Sequence, residues 1–263
     1  MLKANSIGYK VGDKTIVTDI SAQFSPGKIS MILGPNGSGK STFLKIFSGS
    51  LNGYIGEVFY ADKKLDSKNL LSLSRYRAVL GQQPDLSFPM TVEEVIMMGR
   101  YPHFKISPTS HDIAICNAAI DRLNLHSFRE RNYLTLSGGE KQRVQFARVL
   151  SQIWEKSNDE SSRYLFLDEP LNNLDINYQQ EFLQIARSFC SDDTVIVAIM
   201  HDINLAIQFA DEVFFMKEGT LVAQGDPSTT ITEDLIENVF ATKMSLIENP
   251  GTGKRVMVFK TNS

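Results

Sequence analysis

The chain has 263 residues, 42% of them hydrophobic and 22% charged, with a formal net charge of -3. Such a chain can bury a full core, and its composition excludes both a disordered and a membrane-embedded chain. No basic excess marks it as a dedicated nucleic-acid binder.

Cys116 and Cys190 stand apart without zinc-ligand spacing, and one pair cannot build a disulfide framework, so free buried thiols are expected. No apolar run approaches the roughly 18 to 20 residues that cross a bilayer. Lys3, Asn5, Ser6 and Lys10 interrupt any apolar signal core at the N-terminus. A cytoplasmic chain is therefore expected, with any membrane link made through a partner.

In chain order, the first strand-like run after the N-terminal region is Ile29–Leu33. It leads into Gly34-Pro35-Asn36-Gly37-Ser38-Gly39-Lys40-Ser41, and Thr42-Phe43-Leu44-Lys45-Ile46 opens a helix behind it. Strand, glycine-rich loop and helix are the context a phosphate-binding P-loop requires. Glycines let backbone N–H groups close around phosphates, the helix N-terminus faces negative charge, Lys40 reaches β- and γ-phosphates, and Ser41 suits Mg²⁺.

From about residue 84 to 156 the pattern is mostly helical. Thr91-Val92-Glu93-Glu94 reads as a helix start, and Ile113 to Leu123 carries apolar residues at helical spacing. Leu136-Ser137-Gly138-Gly139-Glu140-Lys141-Gln142-Arg143 reads as loop into helix, with Ser137 and both glycines at the N-terminus. By itself this is a helix cap that need do nothing more. A polar stretch over 155–162 returns the chain to a strand, Tyr164–Leu167, ending in the adjacent carboxylates Asp168 and Glu169. Alternation along a strand separates their side chains. Asp168 suits a Mg²⁺ shell, and Glu169 suits polarising a water for attack on a γ-phosphate. Further strand-like runs at Thr194–Ile199 and Val213–Met216 complete an α/β pattern with a largely parallel sheet. The C-terminal stretch reads as a helix over Glu233–Phe240 and two short strands flanking Asn249-Pro250-Gly251.

The segment from Leu136 to Arg143, in order after the P-loop and before the acidic strand end, resembles the signature of the ABC transporter ATP-binding family. The resemblance covers about residues 1 to 230. It implies a P-loop (RecA-like) core, about 1–83 and 160–230, with a helical subdomain inserted over about 84–159 and an N-terminal antiparallel β region. Residues 231–263 are then expected to pack on the core as a helix and hairpin.

The resemblance also implies ATP and Mg²⁺ as cofactors and a homodimer with ATP sandwiched between P-loop and signature. Residues Gly34, Pro35, Asn36, Gly37, Ser38, Gly39, Lys40, Ser41 and Thr42, with Ser137, Gly138 and Gly139, would contact nucleotide. Tyr9 matches the aromatic residue that stacks on adenine, an ordinary strand aromatic being the alternative. Gln82 matches the residue linking the Mg²⁺ and water site to the helical subdomain, with neighbouring Gln83 as an alternative, and Ser41, Gln82 and Asp168 form the metal set. Asp175 of Asn172-Asn173-Leu174-Asp175 would cross the dimer seam. His201 matches the residue that contacts the γ-phosphate, making Glu169, His201 and Gln82 the catalytic set; His103, His111 and His126 have no such support for a functional role.

Leu86 to Val95, Gly99-Arg100-Tyr101-Pro102-His103 and His201 to Ala206 are similar to the subfamily that imports iron chelates, haem and cobalamin. Gln142 to Trp154 leans toward haemin-importer ATPases, while Pro170 to Asp175 is also similar to the cobalamin pattern. The implied role is to energise uptake of haem, with cobalamin or ferric siderophore as alternatives. Partners would be two transmembrane permease subunits and, through them, a substrate-binding protein, with the chain peripheral on the cytoplasmic face of the plasma membrane. A soluble clamp-type ABC ATPase would carry a long heptad insert or a second cassette, and a small-molecule phosphotransferase would lack the signature and His201; neither nucleic acid nor either rival role is expected.

Overall fold

The computed structural model describes residues 1–66, 70–81, 86–156, 162–172, 174–251 and 253–260. In chain order the elements are β1 (Leu2–Val11), β2 (Lys14–Phe24), β3 (Lys28–Leu33), α1 (Lys40–Phe47), β4 (Ile55–Tyr60), β5 (Lys63–Lys64), α2 (Leu70–Leu73), β6 (Arg77–Leu80) and α3 (Val92–Met97). There follow α4 (Ser110–Arg122), α5 (Gly138–Gln152), β7 (Arg163–Asp168), α6 (Ile176–Phe189), β8 (Thr194–Ile199), α7 (Ile203–Phe209), β9 (Glu212–Lys217) and β10 (Thr220–Gly225). The chain ends with α8 (Pro227–Thr230), α9 (Glu233–Phe240), β11 (Met244–Glu248) and β12 (Arg255–Phe259). It divides into two compact units, residues 1–65 with 190–263 and residues 66–189.

The first unit carries two larger sheets and the two-stranded β11–β12 hairpin. β2, β1, β4 and β5 form an antiparallel sheet in that order, and β9, β3 and β8 are parallel with β10 antiparallel beside β9. β8 is buried at every position and β3 at all but its first, which is why both read as unbroken apolar runs rather than alternating ones. β1 and β2 do not alternate cleanly. Their register shifts at three places, and Ser6 and Asp19 take positive φ, the mark of bulged strands.

The second unit carries the parallel pair β6 and β7 and the helices α3 to α6. Three of these helices begin at residues whose chemistry dictates the start. Thr91, Ser137 and Thr109 each cap a helix through a reciprocal box with Glu94, Glu140 and Asp112, satisfying N–H groups that the first turn leaves unpaired. The Phe146 and Phe182 rings stack at 3.8 Å and tie α5 to α6.

Arg100, Asp112 and Glu155 form the polar centre of this unit. Arg100 is 1% exposed and donates to Asp112 Oδ1 at 3.0 Å, the Ser151 carbonyl at 2.8 Å and Glu155 Oε2 at 3.4 Å. Burial alone would raise the Asp112 carboxyl, but hydrogen bonds from Thr109 and Arg100 outweigh it and hold the group below the usual carboxylate range. Gly99 precedes this arginine because a Cβ there would lie 2.1 Å from the Arg148 carbonyl oxygen. Cys116, buried nearby, has its thiol pushed up to about 12 by burial, so it is an inert core residue. Cys190 is only half-buried, with its Sγ 3.9 Å from the Thr194 carbonyl oxygen, where the sequence pattern predicts a buried thiol.

Candidate active site

The first unit supplies a phosphate cradle. The loop between β3 and α1 begins at Gly34, whose φ is 152°. A Cβ at this position would lie 2.1 Å from the Met216 carbonyl oxygen, so no other residue fits. Helix α1 starts at Gly39 in the left-handed region, without a side-chain cap and without an acidic residue in its first turn. Its first N–H groups and positive dipole end therefore face outward for an anion.

Two buried polar groups complete the cradle. Lys40 is 5% exposed, and its Nζ donates to the carbonyl oxygens of Gly34 at 2.8 Å and Pro35 at 2.9 Å. Ser38 is 2% exposed and its Oγ has no hydrogen-bond partner among the described residues. A buried hydroxyl left unpaired costs stability unless a ligand meets it. Together these groups fit a bound phosphate chain, and the half-buried Ser41 and Thr42 lie in the first turn behind them.

The same sheet edge carries His201. Ile32 of β3 is paired with Ile199 of β8, and the Met200 N–H donates to the Ile32 carbonyl at 3.1 Å. The P-loop and the His201 segment thus leave neighbouring parallel strands at their carboxyl ends, where open α/β sheets bind ligands. His201 is exposed, and Asp202 behind it caps α7 by accepting from Asn204 N and Leu205 N. Tyr9 is half-buried in β1, at one of the register shifts opposite Val17.

The second unit holds the two carboxylates and the signature. Asp168 ends β7 and is 4% exposed. Glu169 has φ 51°, in the left-handed region that a side-chain-bearing residue seldom takes, and its Oε2 accepts from Asn172 Nδ2 at 2.8 Å. The chain leaves the extended conformation between the two residues, so they face different surroundings. Ser137 and Gly138 are exposed at the start of α5. Ser137 Oγ accepts from Glu140 N at 3.3 Å, and the Ser137 N–H and hydroxyl bond the Glu140 carboxylate and hold it below the usual carboxylate range. Asp175 Oδ1 accepts from the Tyr178 N–H at 3.0 Å, within the first turn of α6.

Gln82, its neighbour Gln83 and Asn173 lie outside the described residues. The buried Gln142 of α5 escapes sequence reasoning, since a glutamine inside Glu140-Lys141-Gln142-Arg143 reads as part of a solvated face. Among the described residues no helix is long and apolar enough to cross a membrane.

The family model for "ABC transporter" matches residues 17–172. The chain is 42% identical over 240 residues to the hemin import ATP-binding protein HmuV of Mesorhizobium japonicum, covering 91% of each chain. Among solved structures, a metal-chelate type ABC transporter in an inward-facing conformation has the same fold, with a TM-score of 0.81 at 22% identity over 99% of this chain and 97% of that one. A dimeric bacterial ABC transporter cassette gives a TM-score of 0.74 at 25% identity over 86% of this chain and 99% of that one. With the phosphate cradle, the acidic strand end and the capped signature helix all within or beside the matched span, the chain belongs to the ABC transporter family as an ATP-binding member.

Proposed function

We propose that this chain is the ATPase subunit that energises haem import, working as a nucleotide-bridged dimer attached to transmembrane permease subunits at the inner face of the plasma membrane. The observation that carries the ATPase reading is the cradle of buried Lys40, the unpaired Ser38 hydroxyl and the uncapped α1 N-terminus. The haem reading is supported by the near full-length likeness to a protein named for hemin import.

In this reading Tyr9 stacks on adenine, the N–H groups from Gly34 to Thr42 and the Lys40 ammonium hold the β- and γ-phosphates, and His201 binds the γ-phosphate. Ser41, Gln82 and Asp168 present hard oxygen donors of the kind Mg²⁺ takes, and Mg²⁺ there would neutralise phosphate charge during transfer. Glu169 accepts a proton from water as the water oxygen bonds to the γ-phosphorus; the bond to the β-bridging oxygen breaks, and the electron pair leaves with ADP. Ser137, Gly138 and Gly139 of a second copy close on the γ-phosphate, with Asp175 at the seam. Loss of the γ-phosphate removes those contacts, so the nucleotide state shifts the population between closed and open dimers.

The test of cargo is growth of the source cell carrying the Glu169→Gln form, on haemin as sole iron source and separately under a cobalamin or siderophore requirement. Failure on haemin alone supports haem. Normal growth on haemin with failure on cobalamin or siderophore overturns it and keeps the ATPase.

A further inference from the structure

Gln142 is 8% exposed, and its Nε2 donates to the Pro170 carbonyl at 2.9 Å. Pro170 is itself buried and directly follows Glu169, whose left-handed backbone persists only where the surroundings hold it. Among the described residues, Asn172 and Gln142 restrain this short segment. Asn172 grips the Glu169 side chain through Oε2 and its N–H reaches the Glu169 carbonyl at 3.3 Å, while Gln142 fixes the next carbonyl along the chain.

Gln142 sits about one and a half turns from the Ser137 end of α5. The helix is braced beside it. The Arg143 guanidinium lies 4.7 Å from the Tyr178 ring centre and donates to the Leu123 carbonyl. A displacement of the Ser137 end is thus carried along α5 to the peptide that aims the Glu169 carboxylate.

We propose that Gln142 is a positioning residue for hydrolysis, tying the signature helix to the Glu169-Pro170 backbone so that engagement of Ser137 with nucleotide sets the Glu169 carboxylate. The inference rests on the assignment of Glu169 as the water-activating base and Ser137 as a γ-phosphate group. A buried amide that merely satisfied a carbonyl would matter to folding alone; a positioning amide matters to the turnover number at saturating ATP.

The experiment compares wild type, Glu169→Gln, Gln142→Met and the double variant of the full chain in steady-state ATP hydrolysis, with ATP-dependent dimerisation measured by light scattering. Methionine has the length of glutamine and no N–H. The expected result is a kcat lower by about 10- to 100-fold in Gln142→Met, the scale of a small misplacement of a reacting group, with KM within twofold. Dimerisation of the double variant should match that of Glu169→Gln, and its residual hydrolysis should fall no further, because the two changes act through one group. A second variant, Gln142→Glu, is isosteric and donates only when protonated, so its kcat relative to wild type should rise as pH falls. A kcat for Gln142→Met within twofold of wild type, a KM rise with lost dimerisation, or a flat pH ratio for Gln142→Glu overturns the proposal. Full hydrolysis by Glu169→Gln would overturn the underlying assignment as well, and is read in its own arm.

Discussion

The ammonium of Lys40 is folded back onto the loop that bears it, 2.8 Å from the carbonyl oxygen of Gly34. The carbonyls of Gly34 and Pro35 hold the positive charge in the cradle, next to the N–H groups of α1, and a bound phosphate would add charged acceptors to it. Charge-assisted bonds are roughly twice as strong as neutral ones. Lys40→Ala should therefore lose at least about tenfold in MgATP affinity by calorimetry, and Lys40→Arg should not restore it, because a planar guanidinium does not fit where a compact ammonium is 5% exposed. Unchanged affinity in Lys40→Ala would remove the P-loop assignment.

The Arg100 network should dominate the stability of the second unit. Arg100→Ala leaves Asp112 and the Ser151 carbonyl buried without their partner, and breaking a buried pair from one side costs about 3–5 kcal/mol. Urea unfolding should show that loss, with Arg100→Lys recovering little of it because an ammonium cannot span three acceptors in one plane. A change under about 1 kcal/mol, the scale of exposed pairs, would contradict the enclosure of Arg100.

His103 should give stability a pH dependence near neutrality. Burial pushes its imidazole below the ordinary value, the bond to the Gln152 carbonyl partly opposes this, and Arg100 adds to the depression while Asp112 resists it. The unfolded chain therefore takes up its proton first as pH falls, near the ordinary histidine value of about 6.5. Between that value and the lower folded one the unfolded state holds more protons, so stability declines as pH falls through the window and recovers as pH rises. His103→Gln keeps an N–H donor but does not titrate, and urea midpoints between pH 7 and 5 should show a flatter slope for it. An identical slope would place the dependence elsewhere.

The C-terminal hairpin is clasped to the helix that follows His201. Asn204 Oδ1 accepts from Met257 N at 2.7 Å and its Nδ2 donates to the Met257 carbonyl at 3.1 Å, the pairing a neighbouring strand would make. Glu233 holds the other strand through Leu246 N and also pairs with Lys260. Asn204→Ala should raise the rate of proteolytic cleavage within residues 243–260 several-fold, with a global loss of about 1–3 kcal/mol from the unpaired backbone groups. Unaltered cleavage would mean that the clasp does not hold the hairpin.

Residue types alone make much of this chain legible, and the exceptions have a physical reason. The P-loop is legible because a glycine pattern between an apolar strand and a helix has a narrow range of uses, and the Thr91 start because Thr and Glu three apart form a box whatever the fold. The four apolar strand runs correspond to β3, β7, β8 and β9 to within a residue at either end. The bulged β1 and β2 are not legible as individual strands, since register shifts break the alternation that marks a half-buried strand. Gly99 to His103 is legible as an importer-like segment but not for what each side chain does: Tyr101 is exposed, whereas Arg100 is enclosed and His103 is half-buried against Gln152, so part of the segment serves the interior. Gln142 and Asn204 are invisible for one shared reason: a polar side chain on a helix reads as solvated until a distant carbonyl is brought to it.

In the proposed cycle ATP closes two copies of this chain, and hydrolysis at Glu169 opens them again. The direct measurement is the mass in solution, by light scattering during gel filtration, of the Glu169→Gln variant with MgATP and with MgADP. The cycle predicts a dimer with ATP and a monomer with ADP, because phosphate contacts persist while water activation fails. A monomer under both conditions, with ATP bound as shown by calorimetry, would contradict it.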